Sequence, residues 1–275
     1  MTYKIPLGEW VANGVSWLET NDHGLFDKLG KIIDASTAGI ESSLAFIPFW
    51  ALAAIFIGIG YWRRGWKFAA FCAASMWLIN NMGFANQTVV TLALIISATL
   101  ISLALGIPLG IWAGRNDRAE AVIRPLLDFM QTMPAFVYLI PAAMFFGLGR
   151  VPGVIATVIF AMPPVVRLTS LGIRQVNKEQ VEAGIAFGCT PTQLLMKVQI
   201  PSAMAALFAG INQTIMMALS MVIIASMVGA GGLGNDVLSS ISRLDIGLGF
   251  ESGLGVVLLA IMLDRITESF GVKRK

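Results

Sequence analysis

Charge is what this sequence has least of. Asp, Glu, Lys and Arg make up 13 % of 275 residues, about half the roughly 25 % usual in a soluble domain. Hydrophobic residues make up 56 %. That balance excludes an ordinary water-solvated globule and points to lipid as solvent. The two cysteines, Cys72 and Cys189, give neither a disulfide framework nor metal-ligand spacing. The single histidine, His23, has no second histidine with which to build a metal cluster. No Gly-rich loop ends in Lys-Ser or Lys-Thr, so Gly229–Gly234 reads as a flexible break rather than a phosphate cradle. There is no serine nucleophile elbow, and the carboxylates are scattered among helix ends. An integral-membrane enzyme is therefore a poor reading. The net charge of +3 makes no case for nucleic acid. Residues 1–17 lack the continuous apolar core of a signal peptide.

What is present is a series of long apolar runs. Leu25/Phe26, Leu29 and Ile32/Ile33, set among Asp27, Lys28, Lys31 and Asp34, predict an amphipathic helix over 22–36. It either lies at the membrane interface or packs on a partner. Seven spans follow, over about 44–61, 68–79, 89–114, 126–141, 154–171, 203–228 and 248–263. The second is short for the roughly 20 residues a bilayer needs, and snorkelling extends it to Met82. Basic clusters at 62–67, 115–124, 167–178 and 265–275 all require one side, which the positive-inside rule makes cytoplasmic. That requirement sets an outer N-terminus and an inner C-terminus. Arg150, in an outer turn, is the one exception. Asp128 and Gln131 share the fourth span with Pro134 and Pro141. Polar groups there favour a helix lining a pathway, with simple packing kinks as the alternative. Asp128 and Glu251 read as interface anchors or ion-pair partners rather than a proton relay.

Between the fifth and sixth spans lies a polar interruption, residues 179–201. Gly188 joins two short helices lying across the membrane surface. Thr190 caps the second and Pro191 suits its first turn. Gln193, Leu194 and Lys197 decorate a helix ending near Pro201, and Leu194, Leu195 and Met196 offer an apolar face to a partner's groove. The bland alternative is a surface-lying connector. With no energy source of its own in view, the chain is either a passive channel or a subunit driven by another polypeptide.

Glu182-Ala183-Gly184, then Gly188, then Val198-Gln199-Ile200-Pro201 resembles the EAA motif of binding-protein-dependent ABC transporter permeases, with Gly184 in place of its second alanine. Residues 127–141, 171–175, 210–214, 217–234 and 243–251 are similar to the glycine betaine/proline betaine/choline branch of osmoprotectant importers. The resemblance covers about 85–270. It implies an all-α integral membrane protein with type I ABC importer permease-like architecture. An N-terminal amphipathic region (1–40) and two additional transmembrane helices (41–82) would precede a permease core (85–270) with its coupling segment at 179–201. Glu182, Ala183, Gly184, Gly188, Leu194, Lys197 and Pro201 would then meet the ATPase, with Gly184 and Gly188 as clearance and Glu182 as polar anchor. The partners implied are a second permease copy, ATP-binding cassette ATPase subunits, a periplasmic or extracellular substrate-binding protein, and lipid. The chain needs no cofactor or metal; ATP and Mg would be bound by the partner ATPase. The membrane would be the bacterial plasma (inner) membrane. Gln131, Met133, Phe136, Tyr138, Asn212 and Met216 are the expected pathway-lining residues. Two alternatives are an importer permease for another small solute, such as an amino acid, and an ATP-independent osmotic channel.

Overall fold

The computed structural model describes residues 6–21 and 24–271; His23 and the closing Lys273-Arg274-Lys275 lie outside them. All regular structure among the described residues is helical. The helices are α1 (Leu7–Asn21), α2 (Leu25–Phe46), α3 (Phe49–Arg64), α4 (Trp66–Asn81), α5 (Ala85–Arg115), α6 (Asp117–Thr132) and α7 (Ala135–Phe146). They continue with α8 (Arg150–Arg174), α9 (Lys178–Ala186), α10 (Pro191–Leu194), α11 (Ile200–Ala225), α12 (Leu233–Arg243) and α13 (Ile246–Gly271).

Among the described residues, four helical stretches are long and apolar enough to cross a membrane, and six are if each sharply bent pair counts as one span. Seven spans were expected. The helix not counted is α4, whose 16 residues rise about 24 Å against a hydrocarbon core of about 30 Å; short as it is, it still carries the chain from the end of the bundle where α3 stops at Arg64 to the opposite end where α5 starts at Ala85. Two prolines account for the bends. Pro48 caps α3, and α2 meets α3 at 93°. The amphipathic helix therefore continues past 36 to Phe46, the expected division at residue 40 falls inside it, and the following span begins at Phe49 rather than Leu44. Pro134 caps α7, and Met133 before it is extended, so α6 and α7 meet at 96°. Proline disfavours helical geometry in the preceding residue, and the expected continuous helix over 126–141 is broken there. The stretch between the last two expected spans, with its flexible break at Gly229–Gly234, is also corrected. It contains α12, which buries Leu233 and Gly234 and exposes Asn235 and Ile241.

The centre of the bundle is α8, flanked by α5 and α11. In lipid, burial supplies little drive for helix association, and close approach through small residues takes its place. Gly106, Gly110 and Gly114 recur every fourth residue and form one stripe of α5. A Cβ added at Gly110 would stand 2.6 Å from Thr169 Cβ and 2.7 Å from the Val166 carbonyl oxygen. On the other face of α8, Gly172 abuts Ala203 and Ala206, while Gly153 abuts Ala225 and Ala230.

These contacts also define two ends. At one, Gly114 meets Ile173, Gly172 meets Ala203, and Gly271 meets Phe208. Arg63 donates to the Ser269 carbonyl there, and Arg64 pairs with Glu268. The described parts of all four basic clusters thus share this end. At the other end, Gly149 N–H donates to the Val228 carbonyl at 2.8 Å, and Leu233 N–H to Thr91 Oγ1 at 2.9 Å. Arg150 lies there too. Its charge is met by α2, through Asp34 at 2.6 Å and Glu41 at 2.8 Å. Phe26 of α2 stacks on Phe145 with centroids 4.5 Å apart.

Candidate coupling elbow and pathway

The elbow is built from local hydrogen bonds. Asn177 Oδ1 accepts from Glu179 N–H at 2.9 Å and starts α9. α9 ends in a Schellman turn: Cys189 N–H donates to Gly184 O at 3.0 Å and Gly188 N–H to Ile185 O at 2.9 Å. That pattern needs a left-handed residue, and Gly188 supplies φ +75°. Thr190 then opens α10 with a capping box, accepting from Gln193 N–H while Gln193 Oε1 accepts from Thr190 N–H. Pro191 occupies the first turn, where its missing N–H costs nothing. Two helix ends are thus satisfied within four residues, which makes the corner a stiff unit.

The second helix does not end near Pro201, as expected. It continues through a π-helical turn, Leu195–Gln199, directly into α11. Ile200 N–H reaches back five residues to Leu195 O. This widened turn admits the Pro201 ring without breaking the helix. The elbow and α11 are consequently one continuous stretch, Pro191–Val228.

The structure redistributes the expected contact residues. Glu182, Ala183, Lys197 and Pro201 are exposed. Leu194 turns inward, and a Cβ at Gly184 would stand 2.7 Å from its Cδ1. Leu195 packs with Ile173, Ala203 and Leu207. Only Met196 of the expected apolar face points out, 61 % exposed, joined by Ile185 at 59 % and Phe187 at 90 %. Ile185 and Phe187 were missed; two large apolar side chains flanking Ala186 before a helix-ending glycine were the available signal. The room that Gly184 leaves within this chain is taken by Leu194. Nothing in this chain lies within 4 Å of a Cβ at Gly188, so within the fold its role is the left-handed turn.

Ion pairs carry the elbow's base to neighbouring helices. Arg174, closing α8, reaches Asp117 at 2.7 Å, Glu120 at 2.9 Å and the Ala113 carbonyl at 2.8 Å. Arg167 reaches Asp128 at 2.5 Å, so Asp128 has the ion-pair role expected of it. A cavity of about 270 Å³ opens between α6 and α8 beside these pairs, with Arg124 and Ser170 also on its wall.

The six expected pathway residues fall into two groups. Gln131, Met133, Phe136 and Tyr138 gather at the α6–α7 break. Tyr138 Oη donates to Met130 O at 2.5 Å, satisfying a carbonyl that the broken helix leaves open. Gln131 Nε2 lies 3.9 Å from Met217 Sδ of α11. Phe136 lines an apolar groove with Leu139, Met144 and Met227. Asn212 and Met216 share a different groove, beside α13. Asn212 donates to Asp264 Oδ1 at 3.1 Å and accepts from Thr267, so it ties α11 to α13.

Residues 106–270 match the family model described as binding-protein-dependent transport system inner membrane component. The glycine betaine transport system permease protein OpuAB of Bacillus subtilis is 46 % identical over 99 % of this chain and 96 % of its own length. The glycine betaine/proline betaine permease ProW of Escherichia coli is 47 % identical over 97 % of this chain and 75 % of its own. Among solved structures, a chain of the inward-facing MetNI methionine ABC transporter superposes with a TM-score of 0.62. It covers 71 % of this chain and 95 % of its own at 19 % identity, a likeness of fold.

Proposed function

The chain belongs to the family of binding-protein-dependent transport system inner membrane components, and on that premise we propose that it is the permease subunit of an ATP-driven importer for quaternary ammonium osmoprotectants, glycine betaine foremost. The observation that carries the substrate class is the 46 % identity to a glycine betaine permease over nearly the whole of both chains. In this reading two copies pair, and each elbow seats in a cleft of an ATPase subunit that binds ATP and Mg. A periplasmic or extracellular binding protein delivers the substrate, holding its cation by cation–π attraction. The membrane is the bacterial plasma membrane, with the basic end cytoplasmic by the positive-inside rule. That orientation leaves the N-terminus outside and the C-terminus inside.

The elbow geometry supports a rigid transmission. A push on Ile185, Phe187 and Met196 meets a corner held at both helix ends. It passes without a hinge into α11, which is continuous with the elbow. Because α8 and α11 are in close backbone contact at Gly172 and Gly210, the two move together. Arg174 and Arg167 carry α6 with them through their carboxylate partners. The α6–α7 break, with Gln131 and Met133, then moves with α6, while α13, tied to α11 through Asn212, follows α11. That break is the section of pathway this motion opens and closes.

The test is reconstitution with the cognate ATPase and binding protein, followed by competition uptake. Labelled glycine betaine should enter only with ATP, and excess proline betaine or choline should compete. Uptake that persists without ATP refutes the coupled mechanism. ATP-dependent uptake of an amino acid, with glycine betaine ignored, refutes the substrate class.

A further inference from the structure

At the inner corner of α3, α4 and α13 lies an open groove of about 360 Å³, lined by Arg64, Lys67, Phe68, Phe71, Ile261 and Arg265. Its composition is graded. Three basic side chains crowd one end, and the wall below is two phenylalanines, stacked with centroids 6.0 Å apart, and an isoleucine. The acidic groups nearby are already engaged: Glu268 pairs with Arg64 and, at 3.3 Å, with Arg265, while Asp264 lies 3.9 Å from Arg265 and accepts from Asn212. Among the described residues Lys67 has no ion-pair partner, and it is exposed. Arg63, one residue away from Arg64, sits over the Trp62 and Phe270 rings. Counting Arg63, Arg64, Lys67 and Arg265 against Asp264 and Glu268, the corner carries a surplus of two positive charges. Tyr61, Trp62 and Trp66 are all exposed around it, as aromatic residues are at the level of lipid headgroups.

We propose that this corner is a binding site for an anionic phospholipid, its phosphate held by Lys67 with Arg64 and Arg265 and one acyl chain laid along Phe68, Phe71 and Ile261. Charge and polarity are matched in order. An anionic headgroup fits the basic end, and a chain fits the apolar wall continuous with it. A free phosphate would use the first and leave the second bare. A second copy docked here about a two-fold axis would bring the same basic side chains together, which costs energy. The site rests on the chain being a membrane protein and not on its cargo. Three of its residues, Lys67, Phe68 and Phe71, lie on α4, outside the residues matched by the family model.

Native mass spectrometry of the full-length permease in detergent tests it, with phosphatidylglycerol, phosphatidylcholine and inorganic phosphate as probes. Phosphatidylglycerol should be retained at least about fivefold over phosphatidylcholine. Lys67→Gln should lower that preference about fivefold without unfolding, because Lys67 holds no protein group. Millimolar inorganic phosphate should not displace the lipid. Equal retention of the two lipids, or a preference unchanged by both Lys67→Gln and Lys67→Gln/Arg265→Gln, overturns the proposal. So does displacement by inorganic phosphate, or a dimer whose formation excludes phosphatidylglycerol. The readout involves no transport, so its failure leaves the importer reading standing.

Discussion

Replacing Gly188 separates two explanations of the elbow by the order of its variants. If the glycine is there to keep the corner thin, damage should scale with side-chain volume. If it is there for its left-handed backbone, damage should scale with the cost of φ +75°. Within this chain nothing lies within 4 Å of a Cβ at this position, so no internal contact asks for a small residue, and the left-handed backbone is the requirement within the fold. A left-handed L-residue costs about 1–2 kcal/mol. Placed on this one turn, that lowers the ratio of closed to open turn about five- to thirtyfold. Asn visits the region more readily than Ala, although it is larger. Val is the worst, being β-branched. The predicted order of damage is therefore Gly188→Asn below Gly188→Ala below Gly188→Val. Hydrogen exchange at the amides of residues 188 and 189 reads it directly, since these close the Schellman turn on Ile185 and Gly184. Co-purification with the ATPase should fall in the same order. If Gly188→Asn is more damaging than Gly188→Ala, bulk decides and the reasoning is refuted.

Three further outcomes follow from the packing. Gly110→Val should cost about 3 kcal/mol or prevent folding, because its Cβ meets the Val166 carbonyl oxygen as well as Thr169; Gly58→Val, in open space, should leave the melting temperature by fluorescence-detected gel filtration unchanged. Phe187→Ser should weaken capture of the ATPase about tenfold or more with no loss of melting temperature, as expected for a fully exposed side chain that a partner buries; unchanged capture would remove Phe187 from the interface. Asp236 Oδ2 is buried without a partner, and desolvation raises its carboxyl above the ordinary value. The charged form is thus penalised in the folded state. Asp236→Asn should stabilise the protein above the raised value, and the gain should shrink as pH falls through it; a gain independent of pH would refute the assignment.

Membrane residence, the helical class and the position of the elbow are legible in the sequence, because each is written in a local pattern. Apolar runs of bilayer length mark the spans, and the basic clusters that follow alternate ones do come together at one end. Thr190-Pro191 announces a helix start by its own chemistry. Arg150 is an exception to the charge bias only in one dimension: Asp34 and Glu41, more than a hundred residues earlier, meet it across the fold. The stripe of Gly106, Gly110 and Gly114 is also on view, at four-residue spacing, but Pro108 within it suggests a kink instead of a contact face.

Features that depend on which atoms lie opposite one another are set only in the folded chain. Local pattern identifies Leu194 and Met196 alike as apolar. Only the approach of α10 to α9 turns Leu194 onto Gly184 and leaves Phe187 and Met196 outside. Asn212 is a polar residue in an apolar helix by sequence, and a link between α11 and α13 once Asp264 and Thr267 are seen beside it. Hydropathy and capping act over a few residues, so the order of amino acids is enough to say that this chain crosses a membrane and bears a polar elbow. Which face of that elbow is free, and which helices it packs against, rest on contacts between residues distant in the chain, and those exist only in the folded bundle.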